Sequence, residues 1–200
     1  DVYKRQEEMK HVYLIRHAQT VMNNERRFSG VLDCEIDDTG YKQLEVLREK
    51  MKEYKIQQCY CSPLKRTVLT ALSFFDNPIK VNDLHEMNFG DIEGMKFTDV
   101  EKNYPHIARS LVDEKSNTKF PNGESQRTFN KRVNKVFFDI LKADENSSIA
   151  IVSHSCVIRQ IISNAMVKDS TMSWNIHIGN CSITKLEVHP KRTILAFLNK

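Results

Sequence analysis

The sequence predicts an α/β fold with three layers, α/β/α, in which the central layer is a mostly parallel sheet. The fold is expected to be a single domain with a short cap insertion. The length of 200 residues fits one domain. A hydrophobic fraction of 40% with 28% charged residues is typical of globular proteins and excludes disordered and fibrous chains. Short apolar runs alternate with helical stripes along the chain, which is the pattern of a parallel sheet covered by helices.

Six apolar runs predict the strands. Two of them, 11–15 and 148–153, are almost continuously apolar, which is typical of strands buried on both faces of a sheet. The other four predicted strands are 56–61, 79–81, 182–188 and 193–198.

Helix starts are predicted from capping residues in front of apolar stripes. Thr39 is expected to cap the first long helix. Ser62 is expected to cap the next one, with Pro63 at its first position. Further helices are predicted from Thr98, where a capping-box pattern begins, from Ser125 and after His154.

The domain is expected to span residues 9–200. Residues 1–8 are interpreted as a non-native or disordered leader, since the apolar pattern begins directly behind them. Residues 95–122 are expected to form the cap or insert, because 103–122 is polar and contains Pro105 and Pro121.

Composition excludes several classes of function. The net charge is 30 − 26 = +4 and the cations are scattered, which argues against a nucleic-acid-binding stripe. No apolar run approaches the roughly 18 residues of a membrane span. The five cysteines are odd in number and no secretory signal opens the chain, so we expect reduced thiols in a cytoplasmic protein, either monomer or homodimer. The seven histidines lack metal-ligand spacing, and no metal or cofactor is expected.

Polar residues cluster where the predicted strands end. Arg16 and His17 follow the first strand, Arg66 follows the second, Glu86 follows the third and His154 follows the fourth. Ligands of such sheets bind at the carboxyl ends of the strands, so we expect these side chains to meet at one rim.

Their chemistry fits a phosphate monoester. The guanidinium forks of Arg16 and Arg66 can bind the dianion. A neutral His17 or His154 can attack phosphorus. Glu86 can protonate the leaving alkoxide and then deprotonate the attacking water, with no need for a metal.

Five segments in order resemble the histidine phosphatase superfamily, the phosphoglycerate mutase-like proteins. The first is Leu14–Thr20 with Asn23, similar to that family's R-H-G-x-T-x-x-N motif. The others are Arg27–Gly30 with Asp33, the Ser62–Ala71 match to S-P-L-x-R-T-x-x-T-A, the Leu84–Gly94 acid loop, and Ser153-His154. The resemblance covers the chain from about residue 11.

This resemblance implies that His17 is the nucleophile and Glu86 the proton donor. It places the substrate phosphate among eight residues: Arg16, Thr20, Asn23, Ser29, Gly30, Arg66, His154 and Ser155. Ala18 and Ser155 stand where the family usually has glycine. If that glycine requires a positive φ, Ser155 would strain the loop.

The expected function is a metal-independent phosphomonoesterase acting on a small phosphorylated metabolite. Residues 120–133 and 174–183 resemble alpha-ribazole phosphatases of cobalamin synthesis, which makes alpha-ribazole 5′-phosphate the expected substrate. The alternatives are a broad-specificity acid phosphatase, a phosphoglycerate mutase, or a non-catalytic homologue that binds a phosphorylated ligand. Cys156, two residues after His154, is a second candidate nucleophile, against the interpretation as a buried helix residue.

Overall fold

A six-stranded sheet forms the centre of the computed structural model, which describes residues 9–113 and 117–200. The strand order is β3-β2-β4-β1-β5-β6. β5 pairs antiparallel with both β1 and β6, and the other described pairs are parallel. The strands are β1 Lys10–Arg16, β2 Gln58–Cys61, β3 Ile79–Lys80, β4 Ser148–Ser153, β5 Ile183–Val188 and β6 Thr193–Phe197. All six predicted strands are therefore confirmed, with small differences at their ends.

Helices cover both faces of this sheet, so the single α/β domain and its three layers are confirmed. The helices are α1 Val21–Asn24, α2 Asp38–Met51, α3 Lys65–Leu72, α4 Phe97–Asn103, α5 Pro105–Val112, α6 Gln126–Ala143 and α7 Ser155–Val167. Alternate residues of β1 point to opposite faces, as the pleat of a strand requires. Leu14 packs in the core under α6 and α7, and Ile15 packs in the core under α2 and α3.

Three predicted helix starts are wrong. The helix predicted from Thr98 begins at Phe97, with Lys96 in the capping position. Asp37, and not Thr39, caps α2, and its Oδ1 accepts a hydrogen bond of 2.8 Å from the Gly40 N–H. The helix after Ser62 begins only at Lys65, with Leu64 in the capping position and no side-chain cap. Ser62 is instead fully buried, and its hydroxyl contacts His154 at the end of β4. Ser125 does cap α6, as predicted.

The region predicted as a cap is more regular than its polar composition indicated. It contains α4 and α5, and Val100 and Ile107 of these helices are buried in the core beside α6. Residues 1–8 and 114–116 lie outside the described residues, so the division into leader, domain and cap stays a prediction. Within the described ranges, every helix is too short or too polar to span a lipid bilayer.

Candidate active site

Sheet register brings the two candidate histidines together. β1 and β4 are parallel neighbours, with Arg16 opposite Ser153, so His17 and His154 leave adjacent strands at the same level. The main-chain N–H of His17 still donates to the Ser153 carbonyl at 3.0 Å. The two imidazole rings lie with their centroids 5.2 Å apart.

A main-chain carbonyl fixes the tautomer of His17. Its Nδ1 lies 2.7 Å from the oxygen of Ala18. Since a carbonyl can only accept a hydrogen bond, Nδ1 carries the proton in the neutral ring and Nε2 keeps its lone pair. Burial, and then the charges of Arg66 and Arg16, lower the pKa of His17 well below its usual range. The ring is therefore neutral at pH 7 and presents a free nitrogen.

Ser62, which the sequence predicted as a helix cap, instead contacts His154. The Nε2 of His154 lies 2.9 Å from the Ser62 hydroxyl oxygen, and its Nδ1 is buried with no hydrogen-bond partner. Burial first, and then nearby positive charge led by Arg66, lower the pKa of His154 well below its usual range. Both rings are accordingly uncharged before any anion binds.

Two arginines supply the positive charge. Arg66 is fully buried, and its Nη groups donate to the carbonyls of Leu32 and Gly30, at 3.0 and 2.6 Å. Arg16 Nη1 donates to the Ile178 carbonyl at 2.6 Å. The Nε atoms of both arginines are buried without a protein partner. A buried donor without an acceptor is costly, so both groups are suited to the oxygens of a bound anion.

Glu93 orders the loop that holds Arg66. Its two carboxylate oxygens accept hydrogen bonds from the N–H groups of Val31 and Leu32, at 2.9 and 2.7 Å. Gly30 begins this loop, and a Cβ there would lie 2.2 Å from the Met87 carbonyl oxygen. Gly30 is thus required for close packing. Its carbonyl oxygen accepts the hydrogen bond from Arg66 Nη2.

Glu86 is buried at the same rim, and only 6% of its surface is exposed. Its Oε1 accepts from the N–H of Met87 at 2.9 Å, and its Oε2 accepts from the N–H of Cys156 at 3.1 Å. The second bond joins the carboxylate to the first turn of α7, directly behind His154. Burial lowers the pKa of Arg16, and the charge of Glu86 opposes this effect, so the two groups lie within electrostatic reach.

Arg132 supports the main chain around Glu86. Its Nη1 donates to the carbonyls of Asp83 and His85, at 2.7 and 2.9 Å. Glu124 pairs with Arg132 and also accepts from the N–H of Asn88 at 3.0 Å. These two residues were part of a motif in the sequence, but no pattern there indicated that they hold the acid loop.

Thr20 and Asn23 lie near His17 and bond to each other. The Thr20 hydroxyl accepts from the Asn23 N–H, and Asn23 Oδ1 accepts from the Thr20 N–H, both at 3.2 Å. Asn180 joins this pair to His17, since its Nδ2 donates to the His17 carbonyl at 2.9 Å and to Asn23 Oδ1 at 3.3 Å. Sequence reasoning gave Asn180 no role, because it lies about 160 residues away in a loop.

The remaining predicted phosphate ligands are Ser29 and Ser155. Ser29 Oγ lies 3.5 Å from the Cys34 sulfur. Ser155 is the first residue of α7 and is half-buried. Neither Ser155 nor Ala18 is among the described residues with positive φ, so the predicted loop strain at Ser155 is absent.

Cys156 is unsuited to act as a nucleophile. Burial raises the pKa of the Cys156 thiol to about 11. It is therefore a neutral thiol at pH 7, which is a poor nucleophile. All five cysteines are free, as expected. In the part of the chain that the structure describes, no three metal-ligating side chains group together.

Comparison with known proteins decides the family. The family model of the histidine phosphatase superfamily (branch 1) matches residues 12–200. The chain belongs to this superfamily. Phosphoserine phosphatase 1 of Hydrogenobacter thermophilus is 29% identical over 195 residues, which cover 96% of this chain and 92% of that protein.

Two solved structures support the fold of this histidine phosphatase. A phosphoserine phosphatase mutant from Entamoeba histolytica, in complex with phosphoserine, has a TM-score of 0.84 at 25% identity, covering 96% and 97% of the two chains. Alpha-ribazole phosphatase from Shigella flexneri has a TM-score of 0.89 at 22% identity, covering 95% and 96%. The chain is thus similar to phosphatases with different named substrates.

Proposed function

We propose that this histidine phosphatase hydrolyses small phosphomonoesters in two steps, without a metal, through a phosphohistidine on His17. The observation that carries the proposal is the Nδ1 contact of His17 with the Ala18 carbonyl, which leaves Nε2 as a neutral nucleophile. Arg16, Arg66 and His154 surround that ring and would stabilise charge on the phosphoryl oxygens.

In the first step the Nε2 lone pair of His17 forms a bond to phosphorus, and the bond from phosphorus to the ester oxygen breaks. Glu86 gives its proton to that oxygen, so the alcohol leaves neutral. In the second step a water oxygen attacks the same phosphorus and the N–P bond breaks. Glu86 takes a proton from the water. Inorganic phosphate is released, and free His17 and protonated Glu86 are restored.

The substrate class is a small phosphorylated metabolite, and two leaving groups are candidates. Alpha-ribazole 5′-phosphate is favoured by the resemblance of residues 120–133 and 174–183 to that type of phosphatase. The likeness to the Shigella flexneri structure supports only the shared fold, because the identity is 22%. Phosphoserine is favoured by the Hydrogenobacter thermophilus relative at 29% identity.

Hydrolysis of p-nitrophenyl phosphate in the presence of EDTA tests the mechanism. We expect turnover with the chelator, inhibition by vanadate, and loss of activity in His17→Asn. Rapid quenching with ³²P-labelled substrate should trap a phosphoenzyme in the wild type and none in His17→Asn. The matched control is His177→Asn, an exposed histidine outside the site. Undiminished turnover in His17→Asn, or a requirement for added metal, would overturn the mechanism.

A substrate panel separates the remaining alternatives. It should contain alpha-ribazole 5′-phosphate, phosphoserine and 3-phosphoglycerate, with phosphate release as the readout. A mutase would interconvert phosphoglycerates in the presence of a bisphosphate faster than it releases phosphate. A non-catalytic homologue would be thermally stabilised by these ligands without turning them over.

A further inference from the structure

Arg159 is a half-buried arginine one turn into α7, close to the candidate site and outside the mechanism above. Its guanidinium carbon lies 5.4 Å from the centre of the Trp174 ring, and its Nη2 donates to the Cys156 sulfur at 3.4 Å. Its Nε is buried without a hydrogen-bond partner. The ring and the thiol therefore hold the fork in place but leave donors unused.

The contrast with Arg132 shows what Arg159 lacks. Arg132 pairs with the Glu124 carboxylate at 2.8 Å. Within residues 9–113 and 117–200, the polar contacts of Arg159 are with the Cys156 sulfur and the Trp174 ring, and neither is an anion at pH 7. A desolvated guanidinium is favourable mainly when it is matched by a planar oxyanion, which it binds through two parallel hydrogen bonds.

The position of Arg159 points to the leaving-group side of the site. The Cys156 N–H contacts Glu86 Oε2, and Arg159 lies three residues further along the same helix face, a rise of about 4.5 Å. The Cys156 sulfur, and then the Glu86 carboxylate, raise the pKa of Arg159, although burial opposes them. Arg159 is thus within electrostatic reach of the group that would protonate the departing oxygen.

We propose that Arg159, backed by the Trp174 ring, binds a carboxylate on the leaving group, so that the preferred substrates are phosphomonoesters whose leaving group carries a carboxylate close to the ester oxygen. This inference rests on the proposed function, because it takes the phosphoryl group at His17 and the ester oxygen at Glu86 as fixed points. Such a substrate would place its carboxylate at the fork of Arg159 while its ester oxygen lies at Glu86. A nucleoside-type leaving group without a carboxylate would leave the guanidinium unpaired.

Two ligands isolate the carboxylate. O-phospho-L-serine and phosphoethanolamine share the phosphate, the two-carbon skeleton and the amine, and differ only in the carboxylate. We expect the wild type to prefer phosphoserine in kcat/KM. In Arg159→Gln the ratio of the two kcat/KM values should fall roughly tenfold to a hundredfold, the range for a lost hydrogen bond to a charged group. Arg159→Lys should restore part of the preference, since it keeps the charge but not the fork.

The control variant is Arg48→Gln, an exposed arginine on α2, which should leave the ratio unchanged. Equal losses on both substrates in Arg159→Gln, or no wild-type preference for phosphoserine, would overturn the inference. A greater loss on phosphoethanolamine would also overturn it.

Equilibrium binding keeps this test independent of turnover. The dissociation constants of the same two ligands can be measured by calorimetry in the wild type and in Arg159→Gln. If phosphoserine binds more tightly through Arg159 but neither ligand is hydrolysed, the proposed function fails and the carboxylate site stands. If both ligands are hydrolysed, and Arg159→Gln binds each of them as tightly as the wild type does, the carboxylate site fails and the proposed function stands.

Discussion

Arg132 and Glu124 form a two-pronged ion pair behind the acid loop, with Nε–Oε1 and Nη2–Oε2 distances of 2.8 Å each. Both side chains are largely buried, at 12% and 18% exposed. Arg132 also donates to the carbonyls of Asp83 and His85, so the pair joins the N-terminal part of α6 to the main chain just before Glu86. It is therefore placed to set the position of Glu86, the proposed proton donor.

Glu124→Gln should impair proton donation more than phosphoryl transfer. The variant keeps the size of the side chain but removes the charge that orients Arg132. We expect kcat to fall about tenfold for an alkyl phosphate such as β-glycerophosphate, whose leaving oxygen needs a proton. The loss should be smaller for 2,4-dinitrophenyl phosphate, whose leaving group departs as a stable anion.

Lys135→Gln is the matched control for that prediction, since Lys135 lies on α6 in an exposed pair with Asp139. It should leave both rates unchanged. Equal losses on the two substrates in Glu124→Gln would show a general structural role and contradict a positioning role.

Acid should weaken the fold through the two central histidines. Burial lowers the pKa of both His17 and His154 in the folded state. Below the unfolded-state value of about 6.5, the unfolded chain binds protons that the folded chain does not, so stability falls as the pH falls. Each histidine contributes a slope of up to about 1.4 kcal/mol per pH unit.

Urea unfolding at pH 7.5, 6.5 and 5.5 measures this slope. The free energy of unfolding should fall between pH 6.5 and 5.5, and His17→Asn should show a shallower dependence than the wild type. His177→Asn, which removes an exposed histidine, should keep the wild-type slope. Equal slopes in the wild type and His17→Asn would contradict the lowered pKa of His17.

Gly30→Ala should weaken anion binding. The added Cβ would lie 2.2 Å from the Met87 carbonyl oxygen and 2.5 Å from a Glu93 carboxylate oxygen, so the loop must move. Arg66 would then lose the Gly30 carbonyl that holds its Nη2. We expect the inhibition constant of vanadate to rise roughly tenfold, in the range of one hydrogen bond to a charged group.

Gly179→Ala is the matched control, because the nearest atom to its added Cβ is 3.7 Å away, an ordinary contact. Vanadate inhibition should not change in this variant. Unaltered inhibition in Gly30→Ala as well would show that the 30–32 loop does not determine how Arg66 meets the anion.

Restoring glycine at residue 155 should bring no gain in activity. Ser155 begins α7 with ordinary helical backbone, so there is no strain to relieve. Ser155→Gly should lower the free energy of unfolding by about 0.5–1 kcal/mol, through the greater entropy of the unfolded chain. Activity within twofold of the wild type and a lower melting temperature are expected. A several-fold rise in kcat would contradict this account.

The sequence predicted those parts of the site that follow strands. His17 and His154 could be placed because parallel strands end at one rim, and their neighbours Arg16 and Ser153 are opposite each other in the register. Ser62 was misplaced as a helix cap, because a Ser-Pro pair carries the same local signal whether or not tertiary contacts take the hydroxyl.

The supporting residues could not be predicted from local patterns. Asn180 and Arg132 act through hydrogen bonds to main-chain carbonyls far away along the chain, and such bonds leave no signature in spacing or composition. The helix α5 had a detectable signal, since Pro105 stands at its first position and Ile107 follows on the buried side. The polar character of the surrounding residues outweighed that signal.

The spacing of the two imidazoles is set by the ladder between β1 and β4. Adjacent strands lie about 4.8 Å apart, close to the 5.2 Å between the ring centroids of His17 and His154. β1 and β4 are paired on both sides, so their amide hydrogens should exchange slowly with solvent. His17, whose Nε2 would accept the phosphoryl group, directly follows β1. Arg159 and the acid loop lie outside this ladder, so evolution can change the accepted alcohol by substitutions there and leave the distance between the two rings intact.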